Sequence, residues 1–595
     1  MADYIAPLQD MRFVLKDVIG LEAVNTLPPF GEVTEDVVDA ILEEAGRFAH
    51  EVLSPLNAAG DRAGSVLKEG NVTTPNGFRE AYQRFVAAGW GNMAVSADAG
   101  GQGLPMALAN AAEEMWGSAN IAFKLCPMLT LGAIEALHAN ASPELQGRFL
   151  PKMVSGEWTG TMNLTEPQAG SDLSLVKARA TPQEDGTYRI TGQKIFITYG
   201  EHDFTDNIVH AVLARIDGAP PGVKGISLFV VPKVQVRDDG SLGERNAVRC
   251  IALEHKLGIR ASPTAVLSYE GAVGHLVGKA HHGLEYMFIM MNAARLSVGL
   301  EGVCACERAY QAARAWARDR LQGKPAGASG AGPMPIDRHP DVRRMLLTIK
   351  ALAEASRALA YQAAVYVDRS RHHPDEAERR RCQALVDLLT PVVKGWSTEV
   401  GVEAASLGIQ VHGGMGFIEE TGAAQILRDA RIATIYEGTT GIQANDLVGR
   451  KTAREGGRTM AELSARMQET ASSLAGSSDG DLQAIGKRLG EGIVQLSSAT
   501  RWIVDNADAR PLEIAAGAVA YLKLSGYVMG GWMMARSADV AVTKLAQGDG
   551  DLAFLEGKRA TARFYAEHLL SQSAWLAQVV MQGGESVLVT DAALG

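Results

Sequence analysis

At 595 residues, with 47% hydrophobic and 21% charged residues, the chain has a globular composition and is long enough for three or four domains. Its formal net charge of −11 argues against nucleic acid as a principal partner, because phosphate binding needs a basic surface. Acidic substrates stay open, since a local basic pocket is compatible with an acidic protein.

The opening, MADYIAPLQDMRFVLKDV, carries Asp3, Asp10 and Asp17 and so lacks the uninterrupted apolar core of a secretory signal. To about residue 157 the pattern is helical: TEDVVDAILEEAGRFAHEVLSPLNAAGD spaces its apolar residues by three and four. SADAGGQGLP reads as a glycine-rich loop between two such helices. The period then changes. TYRITGQKIFIT, DNIVHAVLARI, GISLFVVPK and TAVLSYEGAVG are rich in β-branched and aromatic residues and read as strands of a small β domain. Helical spacing returns at GLEYMFIMMNAARL, and GKPAGASGAGPMP, Gly323 to Pro335, reads as a flexible connection within the bundle that follows. The serine-rich ETASSLAGSSDGD separates that bundle from a last helical region at about 481–585. The expected divisions are 1–157, 158–280, 281–452 and 453–595, the last holding a linker and an extra helical domain.

The longest apolar run, IAAGAVAYLKLSGYVMGGWMMA, is broken by Lys523 and by glycines, whereas a membrane helix needs roughly 18 or more uninterrupted apolar residues. Its GYVMG spacing suits close approach of helices in a soluble bundle. The five cysteines, Cys126, Cys250, Cys304, Cys306 and Cys382, form no CxxC pair and read as reduced, buried thiols of a cytoplasmic protein. His281–His282 and His372–His373 lack a ligand partner at i+4, so no metal site is expected. GWGNMA fits a dinucleotide fingerprint by letter only, without the strand before it and the helix after it.

Four stretches carry chemistry: MNLTEPQAGSDLSLVKARA (Met162–Ala180), GQKIFITYG (Gly192–Gly200), QVHGGMGF (Gln410–Phe417) and IYEGTTG (Ile435–Gly441). GQKIFITYG places Phe196 and Thr198 two apart, on one side of a strand. The glycines of QVHGGMGF permit close backbone approach to a ligand. Glu437 lies between an apolar run and a helix start, a half-buried setting that suits a base and equally an acid favouring a helix dipole.

In order and spacing the four resemble the acyl-CoA dehydrogenase family over about residues 40–452. The extended N-terminus and helical tail resemble its longer bacterial branch, that of the 3-methylmercaptopropionyl-CoA dehydrogenases. The resemblance implies a mainly α fold with a central β domain: an N-terminal helical domain, a middle β-barrel, a C-terminal four-helix bundle and an extra C-terminal helical domain. It implies FAD, held without a Rossmann fold, and an acyl-CoA substrate such as 3-(methylthio)propanoyl-CoA or another short or medium acyl-CoA. It further implies an electron-transfer flavoprotein as acceptor and a homodimer or homotetramer, with peripheral membrane contact a less favoured property of the tail.

Carried over position by position, the resemblance makes Glu437 the base that takes the α proton. Met162, Leu164, Thr165, Phe196 and Thr198 would contact the flavin, Thr198 near N5. Arg320 would reach the pyrophosphate of a neighbouring subunit's FAD, Gln410, Gly413 and Gly414 would meet the same distal end, and Thr439 would also touch the cofactor. Ser171, Asn292, Arg295 and Gly438 would lie along the substrate. Singly, Arg320 reads as a solvated helix charge, Phe196 as a core aromatic, Ser171 as a turn residue and Gln410 as a helix end. The sequence departs from the family pattern at Phe196, a common tryptophan, at Asn292, a common acid, and at Gly441, a common glutamine; RLQGKP is one residue shorter. Two rival readings are an acyl-CoA oxidase, which would use oxygen, and a non-catalytic assembly or membrane-docking protein on the same fold.

Overall fold

The computed structural model describes residues 3–589, apart from 328, 330 and 331, and residues 591–594. The principal helices are α1 (Met106–Ala119), α2 (Ile121–Asn140), α3 (Gly283–Asp319), α4 (Pro340–His372), α5 (Glu376–His412), α6 (Thr440–Asn445), α7 (Arg458–Ala475), α8 (Gly480–Asn506), α9 (Pro511–Gln547) and α10 (Leu552–Phe564). The strands of the central sheet are β1 (Trp158–Asn163), β2 (Arg179–Pro182), β3 (Tyr188–Thr198), β4 (Asn207–Ile216), β5 (Ile226–Pro232), β6 (Val248–Leu253) and β7 (Thr264–Leu276). Two compact units result: residues 47–104 with 119–294, and residues 1–46, 105–118 and 295–595.

The first unit contains the sheet. β7 pairs with β3, β3 with β2, β2 with β4, and β4 with β5. β5 returns to β7 through His275–Val230 and Leu276–Phe229, so these five strands close a barrel and leave no open edge among themselves. β6 extends β7, and β1 lies parallel to β4. Ile190, Ile197, Val212, Phe229, Val231 and Leu267 fill the interior. A short hairpin, Val66–Lys68 with Asn71–Thr73, interrupts the region that periodicity reads as helical throughout. Its turn is Glu69-Gly70, both residues in the left-handed region, a two-residue connection that matches strand twist.

The second unit is helical. α3 and α5 cross at glycines: a Cβ on Gly302 would stand 2.1 Å from the Ser397 carbonyl, and one on Gly401 would be 2.8 Å from the Gly302 carbonyl. α9 carries the GYVMG spacing, but its function is different from helix-on-helix approach alone. Gly526 and Gly530 form a notch for the fully buried Trp396 of α5, whose ring carbons lie 2.1 and 2.7 Å from where their Cβ atoms would be. Gly526→Ala is therefore expected to cost about 1–3 kcal/mol by overpacking. The denaturation midpoint would check this, with Gly449→Ala, where a Cβ meets nothing within 4 Å, as the control. By length and composition Pro511–Gln547 could cross a membrane, yet 61% of its most apolar window is buried against the rest of the protein.

Two loop expectations change. The serine-rich stretch is helical through Ala475, because Met467, Ala471 and Leu474 bury one face; the break is confined to the residues around Gly476–Asp479, where Asp479 caps α8. Gly323–Pro335 is pinched at its base, where Leu321 bridges Pro335 and Gln322 N–H donates to the Met334 carbonyl at 3.0 Å. Its residues 328, 330 and 331 lie outside the described residues. All five cysteines are free and buried.

A charged cluster runs through the interior of the helical unit. Arg357 of α4 donates to Asp10 at 2.6 Å, to Glu114 of α1 at 2.9 Å through Nε, and to Glu307 of α3 at 2.7 Å. Lys558 of α10 donates to Asp10 and, at 2.9 Å, to Glu354 of α4. Burial alone would push the Asp10 carboxyl up, but Lys558 and Arg357 together hold it well below the usual carboxylate range. At Glu114 burial prevails and the carboxyl is raised, even though Arg357 and Tyr361 both donate to it.

Candidate active site

Glu437 occupies a turn between the short 3-10 segment Arg431–Thr434 and α6. Two successive residues there adopt left-handed backbone: Glu437 at φ 55° and Gly438 at φ 87°. Glycine tolerates this; glutamate does so at a cost of order 1–3 kcal/mol and needs surrounding structure to hold it. Lys394 of α5 donates to the Gly438 carbonyl at 2.7 Å, and Gln443 of α6 donates to the Glu437 carbonyl at 3.1 Å. Thr439 caps α6 by accepting from Ile442 N–H at 3.3 Å, and Thr440 donates to Glu399 of α5 at 2.7 Å. Tyr436 donates its hydroxyl to the buried Glu301 of α3.

The Glu437 side chain keeps some solvent access, yet enough protein surrounds it that desolvation pushes its carboxyl up to about 7. Arg295 and Lys394 oppose that rise, while Glu301 adds to it. Lys394 is fully buried and is itself brought down to about 8 by desolvation, against the pull of Glu437 and Glu301. Arg295, buried on α3, is lowered by burial and lies 3.8 Å from Asp446, which also accepts from Arg450 at 2.6 Å. A carboxyl poised near neutrality beside two buried cations is suited to proton abstraction.

Of the other residues expected at a site, Gly438 and Thr439 belong to the same turn as Glu437, and Arg295 reaches its field. Arg320 ends just past α3 with an exposed guanidinium. Gln410, Gly413 and Gly414 lie at the end of α5, exposed, with open space where a Cβ on either glycine would be. Gly416 is the glycine that packing demands there, since its Cβ would fall 2.3 Å from the Ile409 carbonyl.

In the barrel unit, Phe196 and Thr198 remain accessible while Ile197 between them is buried. The β3–β7 register shifts between Lys194 and Ile197, and Phe196 sits in this bulge with φ 60° and is 59% exposed. Met162 is half-buried at the end of β1, followed by Leu164 and Thr165, whose carbonyl accepts from Ile195 N–H at 2.9 Å. Ser171 and Asn292 are exposed.

Sequence reasoning missed the groups that brace these segments. Lys194, fully buried, donates to the Leu164 carbonyl at 2.9 Å and to Glu166 at 2.8 Å. Burial brings Lys194 to about 8, against Glu166. Glu166 also accepts from the Lys177 and Ala178 amides, so a single acid ties the TEPQAGSD loop to β3. Lys394 and Glu301 were missed likewise; the signal available was a lone charge inside the apolar helical runs PVVKGW and VGLEGVC.

The fold and this turn define an acyl-CoA dehydrogenase: the chain belongs to that family of oxidoreductases. The acyl-CoA dehydrogenase N-terminal, middle and C-terminal domains match residues 35–157, 161–272 and 281–451, and an acetyl-CoA dehydrogenase C-terminal-like domain matches 462–591. The chain is 47% identical to the 3-methylmercaptopropionyl-CoA dehydrogenase of Ruegeria pomeroyi over 98% of this chain and 99% of the relative. It is 33% identical to a broad-specificity linear acyl-CoA dehydrogenase of Mycobacterium tuberculosis, over 96% of each. The fold is similar to that of an acyl-CoA dehydrogenase from Bacillus anthracis solved with FAD, with a TM-score of 0.72, 20% identity and coverage of 98% and 93%.

Proposed function

We propose that the protein desaturates an acyl-CoA thioester between Cα and Cβ, with Glu437 as the base and FAD as the cofactor. The observation that carries this reading is the Glu437 carboxyl, held at about 7 in a braced left-handed turn beside Arg295 and Lys394. Each unit offers groups that suit FAD: the barrel unit an exposed aromatic and a threonine hydroxyl on β3, the helical unit an exposed guanidinium, an amide and open glycine backbone at the ends of α3 and α5. A planar ring system stacks on an aromatic face, and a guanidinium fork matches pyrophosphate oxygens.

When bound, FAD supplies the acceptor for the hydride that leaves Cβ. Glu437 takes the Cα proton on a carboxylate oxygen, and its raised proton affinity makes that transfer favourable. The proton's arrival neutralises the carboxylate while an equal negative charge develops on the substrate, and the buried cations Arg295 and Lys394 keep that surround positive. Phe196 and Thr198 would hold the ring system, Met162, Leu164 and Thr165 its edge, Arg320, Gln410, Gly413 and Gly414 its distal phosphates, and Thr439 a further contact. Ser171, Asn292 and Gly438 would line the substrate.

The match to the Ruegeria pomeroyi enzyme supports 3-methylmercaptopropionyl-CoA as the substrate, within a class of short and medium acyl-CoAs. We further assign an electron-transfer flavoprotein as acceptor, a homodimer or homotetramer as the assembly, and the cytoplasm as the location. Anaerobic titration of the FAD-loaded protein with a panel of acyl-CoAs tests the substrate. The methylthio compound is expected to bleach the flavin absorbance at the lowest concentration. A panel with no bleaching would overturn the reading, and stoichiometric peroxide in air would reassign the protein as an oxidase.

A further inference from the structure

We propose that Lys394 is the positioning residue of the reaction: it fixes the turn that presents Glu437 by gripping the carbonyl of the next residue with a buried positive charge. The proposal rests on the reading of Glu437 as the base. Lys394 projects from α5 with no solvent exposure, and its ammonium donates to the carbonyl of the residue immediately after the base, at 2.7 Å.

That carbonyl belongs to the second of two left-handed residues, where the backbone would relax if released. A buried ammonium is expensive unless something requires it, and replacing it by an apolar side chain would spare the desolvation cost. Glu301 cannot be the sole reason for the charge, because the hydroxyl of Tyr436 already donates to that carboxylate. Of the acids in its field, Glu437, Glu301 and Glu399, it is Glu437 that opposes burial most strongly at Lys394.

The charged groups around the base come from every neighbouring element. They are Arg295 and Glu301 on α3, Lys394 and Glu399 on α5, and Asp446 with Arg450 just after α6; Lys523 of α9 lies 3.6 Å from Glu399. Asp446 is shared by two arginines, and Glu399 accepts from Thr440 and faces Lys523. Lys394 and Arg295 are the two cations that lower the proton affinity of Glu437. Lys394 also grips the turn itself, at the Gly438 carbonyl that Gln443 approaches at 3.4 Å.

The sign follows. The cation stabilises the carboxylate, so removing it raises the Glu437 pKa and moves the acidic limb of kcat/KM to higher pH. In full-length, FAD-loaded protein, Lys394→Met is expected to raise that limb by about one pH unit or more. It should lower kcat about tenfold or more through misplacement of the base, with KM changed less than about threefold. Lys394→Arg, which keeps charge and donor, should return the limb to its original position and recover part of kcat. If Lys394→Met yields no FAD-loaded protein, Lys394→Gln, which keeps a donor without charge, takes the same readouts and should raise the limb equally.

A limb that stays in place in both the methionine and glutamine variants overturns the proposal, and so does an arginine variant with the methionine profile. A purely structural role for Lys394 would lower FAD content or thermal stability without moving the limb. Failure of the underlying reading looks different: Glu437→Gln would then turn over normally. An inactive Glu437→Gln beside an unshifted Lys394→Met removes the positioning role alone.

Discussion

Glu437→Gln is expected to lower turnover by about 10²–10⁴-fold or more while FAD stays bound, since glutamine keeps the shape of the side chain and removes only its basicity. The measurement is the rate of flavin reduction by saturating acyl-CoA in a stopped-flow experiment, with flavin content determined from absorbance. Full-speed reduction would exclude Glu437 as the base. The same carboxyl sets a pH signature. Because burial holds it at about 7, the free enzyme carries an increasingly protonated, inactive base as pH falls below that value. kcat/KM should therefore decline about tenfold per pH unit on the acid side and level off above neutrality. An ordinary solvated glutamate would place the limb at about 4.

The second large effect is structural. Arg357→Met leaves Glu114 and Glu307 without their shared cation and Asp10 with Lys558 alone, and should destabilise the helical unit by about 3–5 kcal/mol. Hydrogen exchange of the α1, α3 and α4 amides would register this as lost protection. Adding Glu114→Gln to that variant removes one stranded charge and should recover part of the loss. Independent, additive effects of the two substitutions would show that the pair is not coupled.

Much of this was legible in the chain. The change of period near Trp158 marked the strands, because a barrel interior demands alternation that a helix does not. Glu437 stood out because YEGT puts an acid and a glycine together at a helix start. What escaped depends on partners distant in sequence. GYVMG reads as two helices touching, but nothing in α9 says that an indole from Trp396 fills the notch. The serine-rich ETASSLA looks like a linker until Met467, Ala471 and Leu474 find a surface to cover. The hairpin at Glu69-Gly70 carried its own turn signal, overlooked within a helical region. Lys394 reads as an interruption in an apolar helix, and its meaning appears only when the Gly438 carbonyl is placed against it.

The shared carboxylate of Asp10 joins positions 548 residues apart, since Lys558 lies far along the chain from it. During synthesis, the early segment must wait for almost the whole polypeptide to emerge before its acid can be neutralised on both sides. A version trimmed before α10 would leave Asp10 with Arg357 alone and Glu354 with Lys350 alone. The tail is thereby wired into the catalytic body as a closing clasp, not hung on it as a detachable module.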